Sequence, residues 1–371
     1  MDFIIKRSEF LRPIARVQGI VEKRTTMPIL SNLLLNLHGD KIEITATDLE
    51  VSIRDKAPLV SLKKEGSVTV NARKLFEIVK AFPDDELSVS CTEESKLTIM
   101  GSKSRFNVMG LPSSNFPEIP SLDGENLHAV KADTLKEMID RTAFAVSTDE
   151  TRYNINGFLL EKEDGKVRMV ATDGHRLAVI EKDYELELNE SNTALLPRKG
   201  VMELRKLLEE DGDEDFSMGV AGKSLIVRKK DVSMNIRLLE GEFPDYKRVI
   251  PEGNDKLICA QRAELSGSLK RVSILSEDRI KCVRFNFSDS KLVLTASSKE
   301  IGDATVEIDI ERKAGGDEKL EIAFNAVYIL DLLDSLDDEK VVFCLKDQLS
   351  PGIMRPEGSD NYTYVIMPMR L

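Results

Sequence analysis

Residues Thr172-Asp173-Gly174-His175-Arg176 crowd a carboxylate, an imidazole and a guanidinium into one short segment. Such a group could ligate a metal and activate water, making the chain a metal-dependent hydrolase centred on Asp173 and His175. That chemistry needs further His, Asp or Glu at matching positions, and the chain has only three histidines. It also lacks a His-Glu-x-x-His pair, the glycine-rich phosphate loops and a Gly-x-Ser-x-Gly elbow. The four cysteines, Cys91, Cys259, Cys282 and Cys344, form no Cys-x-x-Cys and read as reduced thiols. The expectation is therefore a non-catalytic chain with no metal and no cofactor, in which residues 172–176 form a polar loop.

The other groups with chemical reach are cations at helical spacing. Arg12 and Arg16 are four apart and so share a helix face, with Lys23 and Arg24 just beyond. Arg73, Lys74 and Lys80 follow, then Lys136 and Arg141, then Arg198, Lys199, Arg205 and Lys206, then Arg262, Lys270 and Arg271. One such run is usually a solvated helix face. Several on equivalent helices would add along one surface and could track phosphates without reading bases.

The helices are equivalent because the chain repeats. Residues 30–54, 153–180 and 281–308 each give a strand, a turn and a second alternating strand, with Gly39-Asp40 and Asp164-Gly165 as the first two turns. Thr47, Thr172 and Thr295 anchor the copies. Each copy opens with a strand and an amphipathic helix and has a second helix further on. Ser8, Asp133, Asn71 and Asn325 suit helix N-caps, and Pro197 suits a helix entrance. Phe116-Pro117 and Phe243-Pro244 mark two copy ends, beside Pro120 and Pro251. The spacing predicts three tandem α+β units at 1–122, 123–251 and 252–371. Within the alignment TDLE (47–50) and TASS (295–298) answer TDGH, so Gly174, His175 and Arg176 belong to the middle copy alone. A departure of that kind marks a binding site.

Composition agrees with an ordinary globular chain: 371 residues, 41% hydrophobic and 32% charged, room for about three domains. No apolar run reaches the ~20 residues of a membrane helix, and the first residues carry no secretory signal, so the expected location is cytoplasmic. The net charge of −12 argues against nucleic acid until it is divided. The first copy has 17 basic and 16 acidic residues (+1), the second 20 and 27 (−7), the third 16 and 22 (−6). The apolar C-terminus, YVIMPMRL, reads either as core or as one wall of a groove, where methionines adapt to varied partners.

Taken together, TMPILSNLLL (26–35), TATDLEVSI (45–53), NARKLFEIVKAFP (71–83), KSRFNVMGLPSSNFP (103–117), ATDGHRLAV (171–179), LPRKGVMEL (196–204), GEFPDYKRVIP (241–251) and VIMPMRL (365–371) resemble the bacterial β sliding clamp family, the processivity subunit of DNA polymerase III. The match runs from end to end. It implies three clamp domains with antiparallel sheets outside and two helices per domain inside, two chains forming a head-to-tail homodimeric ring. The implied function is to encircle double-stranded DNA and tether the polymerase III catalytic subunit, a clamp loader opening the ring. Other polymerases and repair proteins would dock by a short peptide, without membrane contact. A monomeric repeat scaffold that binds linear peptides is the alternative.

Residue by residue, the resemblance puts Arg24, Arg73, Arg152, Tyr153, Arg198, Lys199 and Gly200 on the DNA side, with Asp149 and Asn154 departing from the Gln and Tyr of a family member. The partner-peptide pocket would comprise Ile155, Thr172, Gly174, His175, Arg176, Leu177, Pro244, Arg248, Val249, Asn325, Tyr328, Leu349, Met367, Pro368, Met369 and Arg370. Ring closure would use Phe106 and Val108 against the partner's third domain, with Ile274 and Leu275 packed there. Lys74, Lys103 and Arg105 would face Glu300, Asp303 and Glu307.

Overall fold

The computed structural model describes residues 1–371 apart from 22–25, 120–126, 150, 184–185, 187, 189–191, 210–215, 277–280, 299, 317–318 and 371. Its first repeat runs β1 (Asp2–Lys6), α1 (Arg7–Val17), β2 (Asn32–His38), β3 (Lys41–Thr47), β4 (Val51–Pro58), β5 (Ser61–Lys64), β6 (Gly66–Asn71), α2 (Ala72–Ala81), β7 (Glu86–Cys91), β8 (Lys96–Met100) and β9 (Arg105–Met109). The second runs β10 (His128–Val130), α3 (Ala132–Asp140), β11 (Gly157–Glu163), β12 (Lys166–Thr172), β13 (Arg176–Asp183), β14 (Thr193–Pro197), α4 (Arg198–Glu209), β15 (Phe216–Ala221), β16 (Ser224–Lys229) and β17 (Val232–Arg237). The third runs β18 (Lys256–Gln261), α5 (Arg262–Val272), β19 (Cys282–Phe287), β20 (Lys291–Ser298), β21 (Gly302–Ala314), β22 (Leu320–Asn325), α6 (Ala326–Asp334), β23 (Lys340–Leu345), β24 (Gly352–Pro356) and β25 (Tyr362–Ile366). Strand, helix and three strands thus recur twice in each repeat, with β5 as an addition in the first.

Compactness divides the chain differently. One unit comprises residues 1–133 and 186–238, the other 134–185 and 239–371, so the middle repeat gives one half to each. The first unit has a five-stranded sheet, β5-β1-β7-β8-β9, and an eight-stranded one, β10-β15-β16-β17-β4-β3-β2-β6. In the second unit the strands follow in the order β11-β12-β13-β25-β24-β23-β18-β21-β20-β19-β22. Sheets therefore run across repeat boundaries. β4 pairs antiparallel with β17 (Val51 opposite Ile236), and β13 pairs with β25 in the same way (Arg176 opposite Ile366).

The local reasons are those of the hydrophobic pattern. Phe10, Ile14 and Val17 of α1 recur at helical spacing and are buried, as are Leu75 and Val79 of α2. The hairpin turns close at Gly39 (φ +61°) and at Asp164-Gly165 (φ +53° and +78°), left-handed values that a tight two-residue turn requires. Asn71 and Asn325 cap their helices, accepting from the Lys74 and Val327 amides. Ser8 and Asp133 do not cap. α1 starts at Arg7 directly from β1, and Asp133 is already in the first turn of α3.

Candidate functional site

The 172–176 segment is a hydrogen-bonded turn between β12 and β13. Thr172 Oγ1 donates to the Arg176 carbonyl at 2.6 Å and accepts from the Gly174 amide at 3.0 Å. Asp173 Oδ1 accepts from the His175 and Arg176 amides at 2.9 and 3.1 Å, and its Oδ2 from Arg176 Nε at 3.0 Å. The Asp173 carboxylate is thus engaged by its own loop. His175 stacks on Tyr328 with ring centroids 6.3 Å apart. Among the described residues, the cluster of His, Cys, Asp and Glu with metal-ligand spacing is Cys259, Glu311 and Glu357, and it excludes both Asp173 and His175. The hydrolase alternative finds no support in this geometry.

Arg176 fixes the loop to the third repeat. Its guanidinium is nearly buried, donates to Asp331 of α6 at 2.6 Å and to the Phe144 carbonyl, and lies 4.4 Å from the Tyr328 ring centroid. The C-terminal segment docks on the same loop: the Met367 amide donates to the His175 carbonyl at 3.0 Å, and the Met369 amide to Ala323 at 2.8 Å. These contacts explain why an apolar terminus is held in place.

Beside the loop is an open hollow of about 170 Å³, room for a few side chains. Of the residues that the resemblance assigns to the partner-peptide pocket, Ile155, Thr172, Gly174, His175, Arg176, Leu177, Pro244, Val249 and Met367 line it. Arg248, Asn325, Tyr328, Leu349, Pro368, Met369 and Arg370 are not among the lining residues. Asn325 serves as a helix cap, Arg248 pairs with Asp245 at 2.7 Å, and Leu349 is exposed on a turn capped by Asp347. Sequence reasoning missed Asp245, Tyr246 and Val365, and it placed Arg152 on the DNA side. Here Arg152 lines the hollow and donates from Nη1 to the Asp173 carbonyl at 3.1 Å. A β-carbon on Gly174 (φ +92°) would come within 3.0 Å of Arg152 Nη2.

The cations of the helices divide into two sets. Arg16 pairs with buried Asp55, Lys199 pairs with buried Asp48 and donates to the Ile20 carbonyl at 3.0 Å, and Arg262 donates to the Asp338 and Leu333 carbonyls. These hold the fold together. Arg73, 80% exposed, and Arg198 face solvent, as does Tyr153 at 74% exposed. Gly200 is buried, and a β-carbon there would meet Ile236 Cγ2 at 2.4 Å, so packing requires the glycine. Asp149 ties its carboxylate to the Thr151 amide and hydroxyl, and these hydrogen bonds hold it below the usual carboxylate range. Arg24 lies outside the described residues.

Three family models for the DNA polymerase III β subunit match the chain in succession: the N-terminal domain at 1–120, the central domain at 129–245 and the C-terminal domain at 247–370. The chain belongs to the β sliding clamp family. A curated β sliding clamp of Pseudomonas aeruginosa is 37% identical over 372 residues, with all of both chains covered. The crystal structure of the DNA polymerase III β subunit from the same organism superposes with a TM-score of 0.94 at 36% identity, again over all of both chains. A further structure, a Pseudomonas aeruginosa sliding clamp bound to griselimycin, gives 0.93 at 36% identity with the same coverage. The fold is therefore that of three tandem clamp domains.

In this clamp-family chain the edges of β9 and of the first part of β21 are open among the described residues. β9 ends the five-stranded sheet. Along β21, residues 302–309 pair with β20 on one side, while β18 covers only 310–314 on the other. Phe106 on β9 is 39% exposed and packs edge-on against Phe82. Ile274 is 73% exposed, and Arg105, Lys103, Glu300 and Asp303 are exposed as well, while Val108 and Leu275 are half-buried. Lys74 pairs with Glu77 at 2.8 Å, and Glu307 with Lys291, so these two charges have partners within the chain.

Proposed function

We propose that two copies of this chain close head to tail into a ring that encircles duplex DNA without sequence specificity. As a non-catalytic processivity subunit, the ring tethers the polymerase III catalytic subunit in the cytoplasm. A clamp loader opens it, and further polymerases and repair proteins dock by the same kind of peptide. The observation that carries this reading is the set of repeat junctions. The third strand of one repeat's hairpin meets the last strand of the next at β4–β17 and at β13–β25. By the same rule β21 calls for a β9, and the β9 of a second chain can supply it. Pairing the two edges would remove an aggregation hazard and make a heterologous contact that closes.

In this reading the repeats divide at 1–122, 123–251 and 252–371, supported by the recurring element order. Phe106, Val108, Ile274 and Leu275 form the apolar part of the closure, with Lys103 and Arg105 set against Glu300 and Asp303. Arg73, Tyr153 and Arg198 are the exposed groups suited to duplex DNA; phosphate contacts of this kind give affinity that falls steeply with salt. The hollow beside Gly174 takes the partner peptide, its apolar floor burying side chains while loop amides and Arg152 orient the backbone.

Sizing tests the closure. The chain should run as a dimer of twice 41.6 kDa, and Phe106→Glu should yield a monomer. A wild-type chain that stays monomeric at micromolar concentration would favour the peptide-binding scaffold instead. Retention on circular DNA, with release on linearisation, tests encirclement. Titration with the C-terminal peptide of the polymerase catalytic subunit tests the hollow.

A further inference from the structure

The wall of the hollow formed by Pro244, Tyr246 and Val249 comes from a linker with no strand of its own: Tyr246–Val249 is a single 3-10 turn. What fixes its distance from the floor is visible on one face of the sheet. Leu159, Val170, Leu177, Val179 and Val365 form an apolar cluster there, and the Tyr246 ring packs on it. Two residues along each strand the same face becomes ionic. Glu161, Arg168 and Glu181 stand directly opposite one another across β11, β12 and β13.

Arg168 lies in the centre of this row. Its Nε donates to Glu181 at 2.6 Å, and its Nη1 pairs with Glu163 and lies 3.5 Å from Glu161. Tyr246 straddles the border between the two halves. Its ring is on the apolar side, and its hydroxyl donates to Glu161 Oε2 at 2.7 Å. Lys247, the next residue, reaches Glu163 at 2.8 Å. A hydrogen bond to a carboxylate is stronger than one between neutral groups, and the row leaves Glu161 little freedom to move.

We propose that Glu161 and Arg168 are positioning residues for the peptide hollow, acting through the Tyr246 hydroxyl to hold the Pro244–Val249 wall at its working distance from the Leu177–Val365 floor. This rests on the hollow being the partner-peptide site. Without the hydroxyl's anchor the ring still covers the cluster, but the wall can swing, and a bound peptide loses a preorganised partner surface. The consequence falls on the dissociation rate more than on the association rate.

Griselimycin, which the Pseudomonas aeruginosa clamp binds, serves as the probe with the full-length protein. Wild type, Tyr246→Phe, Glu161→Leu and the double variant are titrated, with dimer size as the folding control. The wild type is expected to bind. Each single change is expected to weaken binding about tenfold, mainly through faster release, the size of one lost hydrogen bond to a charged group. The double variant should be no more than about twofold weaker than either single, because both remove the same link. Losses that multiply, or a Tyr246→Phe variant within twofold of wild type, would overturn the network. If Glu161→Leu fails to fold, Tyr246→Phe decides alone, since phenylalanine keeps the ring in its cluster. A wild type that does not bind griselimycin would instead remove the pocket reading itself.

Discussion

Residues 47–51 and 172–176 are the same turn built twice. In each, the threonine hydroxyl donates to the carbonyl four residues on (Val51 at 3.1 Å, Arg176 at 2.6 Å) and accepts an amide two residues on (Leu49 and Gly174, both at 3.0 Å). Asp48 accepts the Glu50 and Val51 amides as Asp173 accepts those of His175 and Arg176. The third residue is left-handed in both, Leu49 at φ +80° and Gly174 at φ +92°. Thr-Asp is therefore what the turn needs, and the residues after it are the ones it leaves free to vary. In the first unit, Thr45 and Arg54 stand where Val170 and Val179 line the apolar face, and Arg54 donates to the carbonyl of Ile119 at 2.8 Å, the residue that answers Tyr246. A cation fills the place that would receive an apolar side chain. The clasp to the second helix is also reversed. The first unit supplies the cation from the helix, Lys199 to Asp48, and the second from the loop, Arg176 to Asp331.

The reversal can be broken at either end, and the largest effect is expected at Arg176. Arg176→Met leaves Asp331 and Asp173 without their cation; Asp173 is largely buried and Asp331 about one-third exposed, so the loss is about 1–3 kcal/mol. Urea unfolding should show that loss, together with griselimycin affinity falling beyond the tenfold expected for Tyr246→Phe. Lys199→Met should destabilise the first unit while leaving griselimycin affinity unchanged. If both variants lose ligand alike, the two clasps are not local to their own loops and the comparison fails.

The same contrast explains what the sequence could reveal. The turns at Gly39 and Asp164-Gly165, the asparagine caps and the threefold element order are local, and local patterns carry them. The odd residues of TDGHR stood out because a repeat supplies its own control. Tyr246, Asp245 and Val365 did not, since their role depends on which strand edge meets which across a repeat boundary, a long-range pairing with no local signal. The resemblance sets Arg152 beside Tyr153, and only the fold shows its guanidinium turned toward Asp173. That Lys199 and Arg16 pair with Asp48 and Asp55 is likewise out of a sequence's reach, because nothing local places those carboxylates beside them.

Exchanging the third turn residues sharpens the comparison. Gly174→Leu puts a side chain against Arg152 at the rim of the hollow, in a backbone conformation that costs an L-residue roughly 1–2 kcal/mol. Griselimycin binding should weaken about tenfold or more by obstruction, which isothermal titration would read. Leu49→Gly is the reverse experiment. It relieves the left-handed strain of an exposed leucine and should change the first unit's stability by about 1 kcal/mol or less, because the relief is offset by the greater freedom of glycine in the unfolded chain. A large loss would mean that Leu49 packs in a way its exposure does not suggest.

The smallest effect expected comes from acid. Burial alone would raise Glu181, but hydrogen bonds from Lys166 and Arg168 outweigh it and hold its carboxyl below the usual range; the answering row in the first unit is Asn36, Glu43 and Lys56. A carboxylate with a lowered folded pKa contributes stability that is fully present above the unfolded value, near 4.3 for a glutamate, and is lost as pH falls through the folded one. Between pH 6 and 5 the contribution of Glu181 should therefore be indifferent to pH, and below about 4 it should decline. The thermal midpoint of the wild type should drop more steeply over that acid range than that of Glu181→Gln, the two differing most at neutral pH and converging in acid. Curves that stay parallel would show that Glu181 adds nothing to the row, leaving Glu161 and Glu163 to hold Arg168 unaided.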